Sequence, residues 1–284
     1  MNLLEVTNIS KQYTNFALEN ISFSLPAGYI MGYVGQNGAG KTTTLNIITH
    51  LVRAANGNVS IDGLRYEKDP IRYLDCIGYV GDSSYFPEIM TVGQVRSVLR
   101  DFYPSFRPRE FDRYVDRWKL PLKDKIKNFS RGTKVKLMFA SVLARDTKLL
   151  ILDEATNGLD PMMRKEVLEL LQEYISDGSR SVLFSTHILA DLEQIADYIF
   201  FIDHGKKIFC GVKEDLTDSY LLVKGGREDL TAKLRPALIG VEKNDYGFEA
   251  LYDVKSDILL PAGLITEKPS IDQIVVHLIE DMRY

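Results

Sequence analysis

A chain of 284 residues that is 45% apolar and 26% charged, with a formal net charge of −4, can bury one sizeable core and a smaller domain, and it reads as soluble and globular. Its longest apolar runs, such as residues 148–152 and 198–202, fall far short of the roughly 18 residues that span a membrane, and its interspersed charge argues against a nucleic-acid partner held mainly through phosphate. Cys76 and Cys210 form neither a metal spacing nor a disulfide framework, and no basic segment followed by an apolar one opens the chain, so the cytoplasm is the expected compartment.

Residues 3–34 alternate apolar and polar side chains around turn signals at Thr14-Asn15 and Pro26-Ala27-Gly28, which predicts an N-terminal subdomain of short, largely antiparallel strands. Tyr13 stands at one of these turns, where an aromatic face could stack on a base or pack half-buried. The apolar run 29–34 predicts a buried strand, and Leu45, Ile47, Ile48 and Leu51 recur at helical spacing. Between them lies Gly35-Gln36-Asn37-Gly38-Ala39-Gly40-Lys41-Thr42, a glycine, four residues, then Gly-Lys-Thr. Glycines so placed let successive N–H groups and a helix N-terminus face the β- and γ-phosphates of a nucleotide. Gly35, Asn37, Gly38, Ala39, Gly40, Lys41, Thr42 and Thr43 are therefore the expected binding residues. Lys41 adds positive charge, and the Thr42 hydroxyl suits a small, hard cation such as Mg²⁺. Kinases, GTPases and transport ATPases share this loop, so the remainder of the chain must choose among them.

Residues 77–81 predict a second core strand that ends at Asp82, followed by an aromatic loop with Tyr85 and Phe86. A helical insertion is expected over about residues 83–145, with Val92, Val95, Val98, Leu99 and Phe102 on one face. Ser130 is the expected N-cap of its last helix. Leu149–Leu152 is an apolar strand that ends in Asp153 and Glu154. Such a corner is common on protein surfaces, but behind a phosphate loop the aspartate can hold Mg²⁺ and the glutamate can face an attacking water. Asn157-Gly158-Leu159-Asp160-Pro161 starts an amphipathic helix, and the strand 181–186 ends at His187, placed to donate to γ-phosphate or to position water. Beyond about residue 213 the texture changes to short strand-like pieces and a final helix from about Ser270, a small α/β appendage. The fold class is α/β: a P-loop NTPase core with an N-terminal antiparallel β subdomain, the helical insertion and the appendage.

Taken in order, these motifs resemble the ATP-binding subunit of an ABC transporter over residues 1–215, leaving 216–284 as a C-terminal accessory domain. Phe129-Ser130-Arg131-Gly132-Thr133 stands where that family has its Leu-Ser-Gly-Gly-Gln signature, and Tyr13 takes the place of the adenine-stacking aromatic. The resemblance implies ATP and Mg²⁺ as cofactors. Lys41, Glu154 and His187 would serve the chemistry, Thr42, Asp153 and Asp82 the metal, and Ser130 and Gly132 the γ-phosphate of ATP bound to a second ATP-binding subunit, a homodimer or a paralogue. It further implies a separately encoded transmembrane permease, a location on the cytoplasmic face of the membrane and no nucleic acid. Tyr85, Phe86 and Ile89 are the expected docking surface for a membrane-subunit helix.

Asp82 replaces the family's usual glutamine, and Arg131 and Thr133 depart from the signature, which touches coupling and rate more than ATP binding. The appendage and compact signature look similar to exporters of small peptides, antibiotics or lipids, including bacitracin-export and phenol-soluble-modulin-export types. Two other readings share the motifs: an ABC ATPase acting on ribosomes or DNA, normally with two cassettes or a long coiled coil, and a regulatory ATP-binding module that switches a membrane partner.

Overall fold

The computed structural model describes residues 1–282. Two strands open the chain, β1 (Asn2–Gln12) and β2 (Ala17–Pro26), paired antiparallel. One face of the pair turns Leu4, Val6 and Ile9 inward with Ile21, Phe23 and Leu25, while the other face meets solvent. A register shift between Val6 and Ile9, with Asn8 and Asn20 at positive φ, keeps Ile9 on the inner face, and the strands run eleven and ten residues, longer than the turn signals suggested. The third strand, β3 (Ile30–Val34), leaves this pair altogether. All five of its residues are buried, and it pairs parallel within the main sheet. After α1 (Lys41–Ile48), β4 (Asn56–Ile61) closes the first sheet in the order β2-β1-β4.

The main sheet is assembled by α2 (Pro70–Asp75), β5 (Ile77–Gly81), α3 (Val92–Phe102), α4 (Pro108–Arg117), α5 (Arg131–Leu143), β6 (Leu149–Asp153), α6 (Pro161–Ile175), β7 (Ser181–Ser185), α7 (Leu189–Ile195), β8 (Tyr198–Asp203) and β9 (Lys206–Val212). Its order is β5-β6-β7-β3-β8-β9, parallel except for β9. The central strands carry apolar residues on both faces because helices cover one side while α1 and the β2-β1-β4 sheet cover the other, where Phe23 packs on Tyr33 and Phe200. The predicted Ser130 cap is present, accepting from the Thr133 N–H, and Asp160 caps α6 by accepting from the Met163 N–H. Within the helical insertion Val92, Val95 and Leu99 are buried, but Val98 and Phe102 from the same predicted stripe face outward. A bidentate Arg96–Asp112 pair, 2.7 and 2.8 Å, ties α3 to α4.

The C-terminal part consists of α8 (Lys213–Asp218), β10 (Tyr220–Gly225), β11 (Leu238–Lys243), β12 (Phe248–Asp253), β13 (Ile265–Glu267) and α9 (Ile271–Asp281). Its antiparallel sheet runs β11-β12-β10-β13. Ile271, Ile274, Val275 and Ile279 of α9 join the same buried cluster as Val34 of β3 and Leu192 and Ile195 of α7. The sheet is thus fastened to the ATPase core through its last helix.

Candidate nucleotide site

In the order β5-β6-β7-β3 the carboxyl ends of four strands deliver Asp82, Asp153-Glu154, Thr186-His187 and the phosphate loop side by side. The loop's shape depends on its glycines. Gly38 and Gly40 have φ of 81° and 113°, and a Cβ on Gly40 would meet the Phe16 ring at 2.9 Å. A Cβ on Gly35 would collide with the Ile202 carbonyl, so this position requires close backbone approach. Asn37 and Gly38 are exposed, whereas Ala39 and Gly40 are buried. Lys41 is only 5% exposed, and its ammonium donates to the carbonyls of Gly35 at 2.7 Å and Gln36 at 3.1 Å. Burial lowers its pKa, opposed by the charges of Glu154 and Asp153. Thr42 is exposed and Thr43 half-buried at the first turn of α1.

Asp153 is buried at the tip of β6 and accepts a hydrogen bond from the Tyr79 hydroxyl at 3.2 Å. Burial raises its pKa, the Tyr79 bond lowers it, Glu154 raises it, Lys41 lowers it and Asp82 raises it. Three carboxylates therefore share one field with a single desolvated ammonium. The donor set fits a small, hard cation: Asp153 and the Thr42 hydroxyl would hold Mg²⁺, with exposed Asp82 beside them, and the ion would neutralise phosphate charge.

Glu154 sits at φ 57°, a left-handed conformation that costs a non-glycine residue roughly 1–2 kcal/mol. Its N–H bonds to the Ser185 carbonyl at 2.9 Å, which holds the turn. The carboxylate is gripped on both sides, by His187 Nε2 at 2.5 Å and by the Asn157 amide at 3.1 Å. Glu154 and His187, read separately from the sequence, thus form one pair between adjacent strand ends.

Tyr13 is 41% exposed on a turn closed by its N–H to the Phe16 carbonyl, with the Lys11 ammonium 5.8 Å above its ring. Phe16 in turn covers Gly40, which places this turn against the phosphate loop. Ser130 and Gly132 are elsewhere. They line a cavity of about 680 Å³ with Trp118, Lys136, Asp160 and Met163, and no phosphate-loop residue borders it. Arg131 lies over Gly158 of the turn before α6.

Two contacts escaped the sequence reading. Tyr79 lies diagonally from Asp153, whose direct partner on β5 is Gly81, and the missing side chain at Gly81 makes room for the tyrosine ring. The strand alternation could have shown it. Asn157, read as a turn residue, holds Glu154. Of the expected docking residues, Tyr85 and Phe86 line an apolar groove, the Tyr85 hydroxyl tucked inward on Ser141 and Phe86, only 8% exposed, forming part of the core beneath it, while Ile89 stands outside the groove.

A phosphate loop ahead of a helix, an acidic strand end and a glutamate–histidine pair define a P-loop nucleoside triphosphatase. The model of the ABC transporter family matches residues 18–157. Among similar proteins, the lantibiotic transport ATP-binding protein SrtF of Streptococcus pyogenes is 31% identical over 72% of this chain and 89% of its own. The linearmycin resistance ATP-binding protein LnrL of Bacillus subtilis is 32% identical over 75% and 70%, and the bacitracin transport ATP-binding protein BcrA of Bacillus licheniformis 29% over 72% and 68%. A solved ATP-binding subunit of an ABC transporter superposes with a TM-score of 0.70 at 29% identity, covering 76% of this chain and 92% of that one. The chain belongs to the ABC transporter ATP-binding family and is an ABC-type ATPase, the ATP-binding subunit of a transporter.

Proposed function

We propose that this subunit powers an exporter by closing head to tail, with Mg·ATP, on a second ATP-binding subunit, a copy of itself or a paralogue. The observation that carries the reading is the Glu154–His187–Asn157 constellation one residue beyond Asp153. Glu154 accepts a proton from the attacking water, His187 donates to γ-phosphate, and Lys41 leaves its loop carbonyls for the β- and γ-phosphate oxygens. Thr42 and Asp153 hold Mg²⁺, and Ser130 and Gly132 meet the γ-phosphate in the facing subunit's site at the N-terminus of α5. Their separation from the phosphate loop within one chain supports the shared-site arrangement.

No helix among the described residues is long and apolar enough to cross a membrane. A separately encoded permease would dock in the apolar groove of about 720 Å³ lined by Leu74, Tyr85, Val98, Phe102 and Tyr103, setting the chain on the cytoplasmic face. The relatives named for lantibiotic, bacitracin and linearmycin support a small peptide, antibiotic or lipid cargo.

Glu154→Gln tests the reading. The amide keeps the side chain's size but not its basicity, so hydrolysis should fall by about 10²-fold or more while Mg·ATP stays bound. Size-exclusion chromatography should show a dimer with Mg·ATP and a monomer with ADP, with the paralogue added if the pair is mixed. Wild-type turnover in this variant removes Glu154 from catalysis. Slow turnover without ATP-dependent dimerisation sinks the shared site.

A further inference from the structure

Away from the phosphate loop, the C-terminal sheet and its covering helix gather one imidazole and three carboxylates. His277 on α9 is only 2% exposed, and Glu280 follows it by three residues on the same helical face. Glu242 on β11 lies directly opposite Glu249 on β12 in the antiparallel register. One ligand atom from each of Glu242, His277 and Glu280 lies within 4.8 Å of the others, and Glu249 stands 3.6 Å from His277 Nε2.

The helix is seated on the strand at Gly240. This residue has φ 58° at an irregularity in β11, and a Cβ there would collide with the His277 carbonyl. Its N–H donates to Asp281 at 3.1 Å, and its carbonyl accepts from His277 Nδ1. A carbonyl only accepts, so this bond fixes a proton on Nδ1 and turns Nε2 toward the carboxylates. Like charges facing each other across a ladder destabilise it. The ammonium of Lys224, 3.4 Å from Glu249, is shared with Glu267 at 2.9 Å. Among the described residues no ion pair reaches Glu242 or Glu280. Three carboxylates thus converge on the buried His277 imidazole, and the one ammonium beside them is divided between Glu249 and Glu267.

We propose that Glu242, His277 and Glu280 bind a divalent first-row transition ion, with Glu249 as the adjoining carboxylate. A mixed imidazole and carboxylate set suits ions such as zinc and manganese, whereas magnesium prefers oxygen alone and keeps its waters. The Nδ1–carbonyl bond is the outer contact that orients a metal-bound histidine. The ion pins α9 to the edge strand β11. Glu280 also borders a cavity of about 310 Å³ with Gly35, Gln36 and His187, so the pinned helix is the one that flanks the nucleotide site.

The test uses the full chain, treated with chelator and free of nucleotide, titrated separately with Zn²⁺, Mn²⁺ and Mg²⁺ by calorimetry, with bound metal counted after desalting. One equivalent of zinc or manganese per chain is expected, resistant to excess magnesium, together with a higher unfolding midpoint. Glu242→Gln changes an exposed side chain and should fold; it should weaken binding by at least about tenfold and leave ATP turnover in Mg²⁺ alone unchanged. Glu280→Gln should weaken it likewise. Uptake that magnesium competes away belongs to the phosphate site and overturns the assignment. So does affinity unchanged in both variants, or a chain that takes up no ion, in which His277 would be an imidazolium paired with Glu249.

Discussion

Asp153 illustrates how one residue is set between folding and chemistry. Burial raises its pKa, so the ionised form suited to a cation is lost as pH falls through that raised value, and the Tyr79 hydroxyl works against the shift. Tyr79→Phe removes the donor and should raise the Asp153 pKa further. The acid limb of the Mg·ATPase pH profile is expected to move to higher pH, with a loss of about 1 kcal/mol, some fivefold, in turnover near that limb and little change at alkaline pH. A uniform loss at every pH would mean that the ring only packs. At this scale the sequence was legible where residue type and position coincide, as in Lys41, Thr42, Asp153, Glu154 and His187. Tyr79 and Asn157 act through diagonal and turn contacts that local spacing does not display.

The helical insertion shows the same division between what pattern reveals and what tertiary packing adds. Its Ser130 cap and buried stripe were readable, but helical periodicity cannot tell the core side of a broad apolar face from a groove left open. Phe102 is 76% exposed and shares that groove with Val98 and Tyr85. Phe102→Asp should abolish copurification with the membrane partner while basal ATP binding persists; intact copurification would move the docking surface elsewhere. Beneath the groove, Arg145 is buried, stacked 3.6 Å from the Tyr103 ring, and donates to the carbonyls of Leu74, Asp75 and Ile77 at 3.2, 2.9 and 2.7 Å. It joins the end of α5 to α2 and β5, and its carboxylate neighbour Asp75 is 3.8 Å away. Arg145→Ala strands those acceptors and that charge, which should cost about 3 kcal/mol in denaturant unfolding. A midpoint shift equivalent to under about 1 kcal/mol would show that water replaces the guanidinium freely.

For the whole molecule, the sequence marked a change of texture near residue 213 and a final helix from Ser270, both visible in chain order because strands and helices alternate differently there. What it could not display is where α9 docks, since its apolar stripe fits any complementary surface. In the structure that stripe enters the cluster that contains Val34, Leu192 and Ile195, and the Ile271 N–H bonds to the Glu193 carboxylate of α7 at 2.7 Å. Four buried aliphatic side chains, each worth roughly 1.5–3 kcal/mol, amount to a gross burial of about 6–12 kcal/mol, on the scale of the whole stability of a typical domain. Ending the chain at residue 215 would uncover the α7 surface beneath them, beside the strand that feeds the phosphate loop. We expect such a truncation to be poorly soluble or to unfold at a markedly lower midpoint, and to lose ATP binding through instability although the phosphate loop is intact. The milder Ile274→Ala, which keeps the sheet, should cost about 2–5 kcal/mol in the same transition. A truncated chain that stays monomeric, unfolds at the full-length midpoint and binds ATP normally would show instead that residues 216–284 fold as a separable unit whose last helix only rests on the ATPase core.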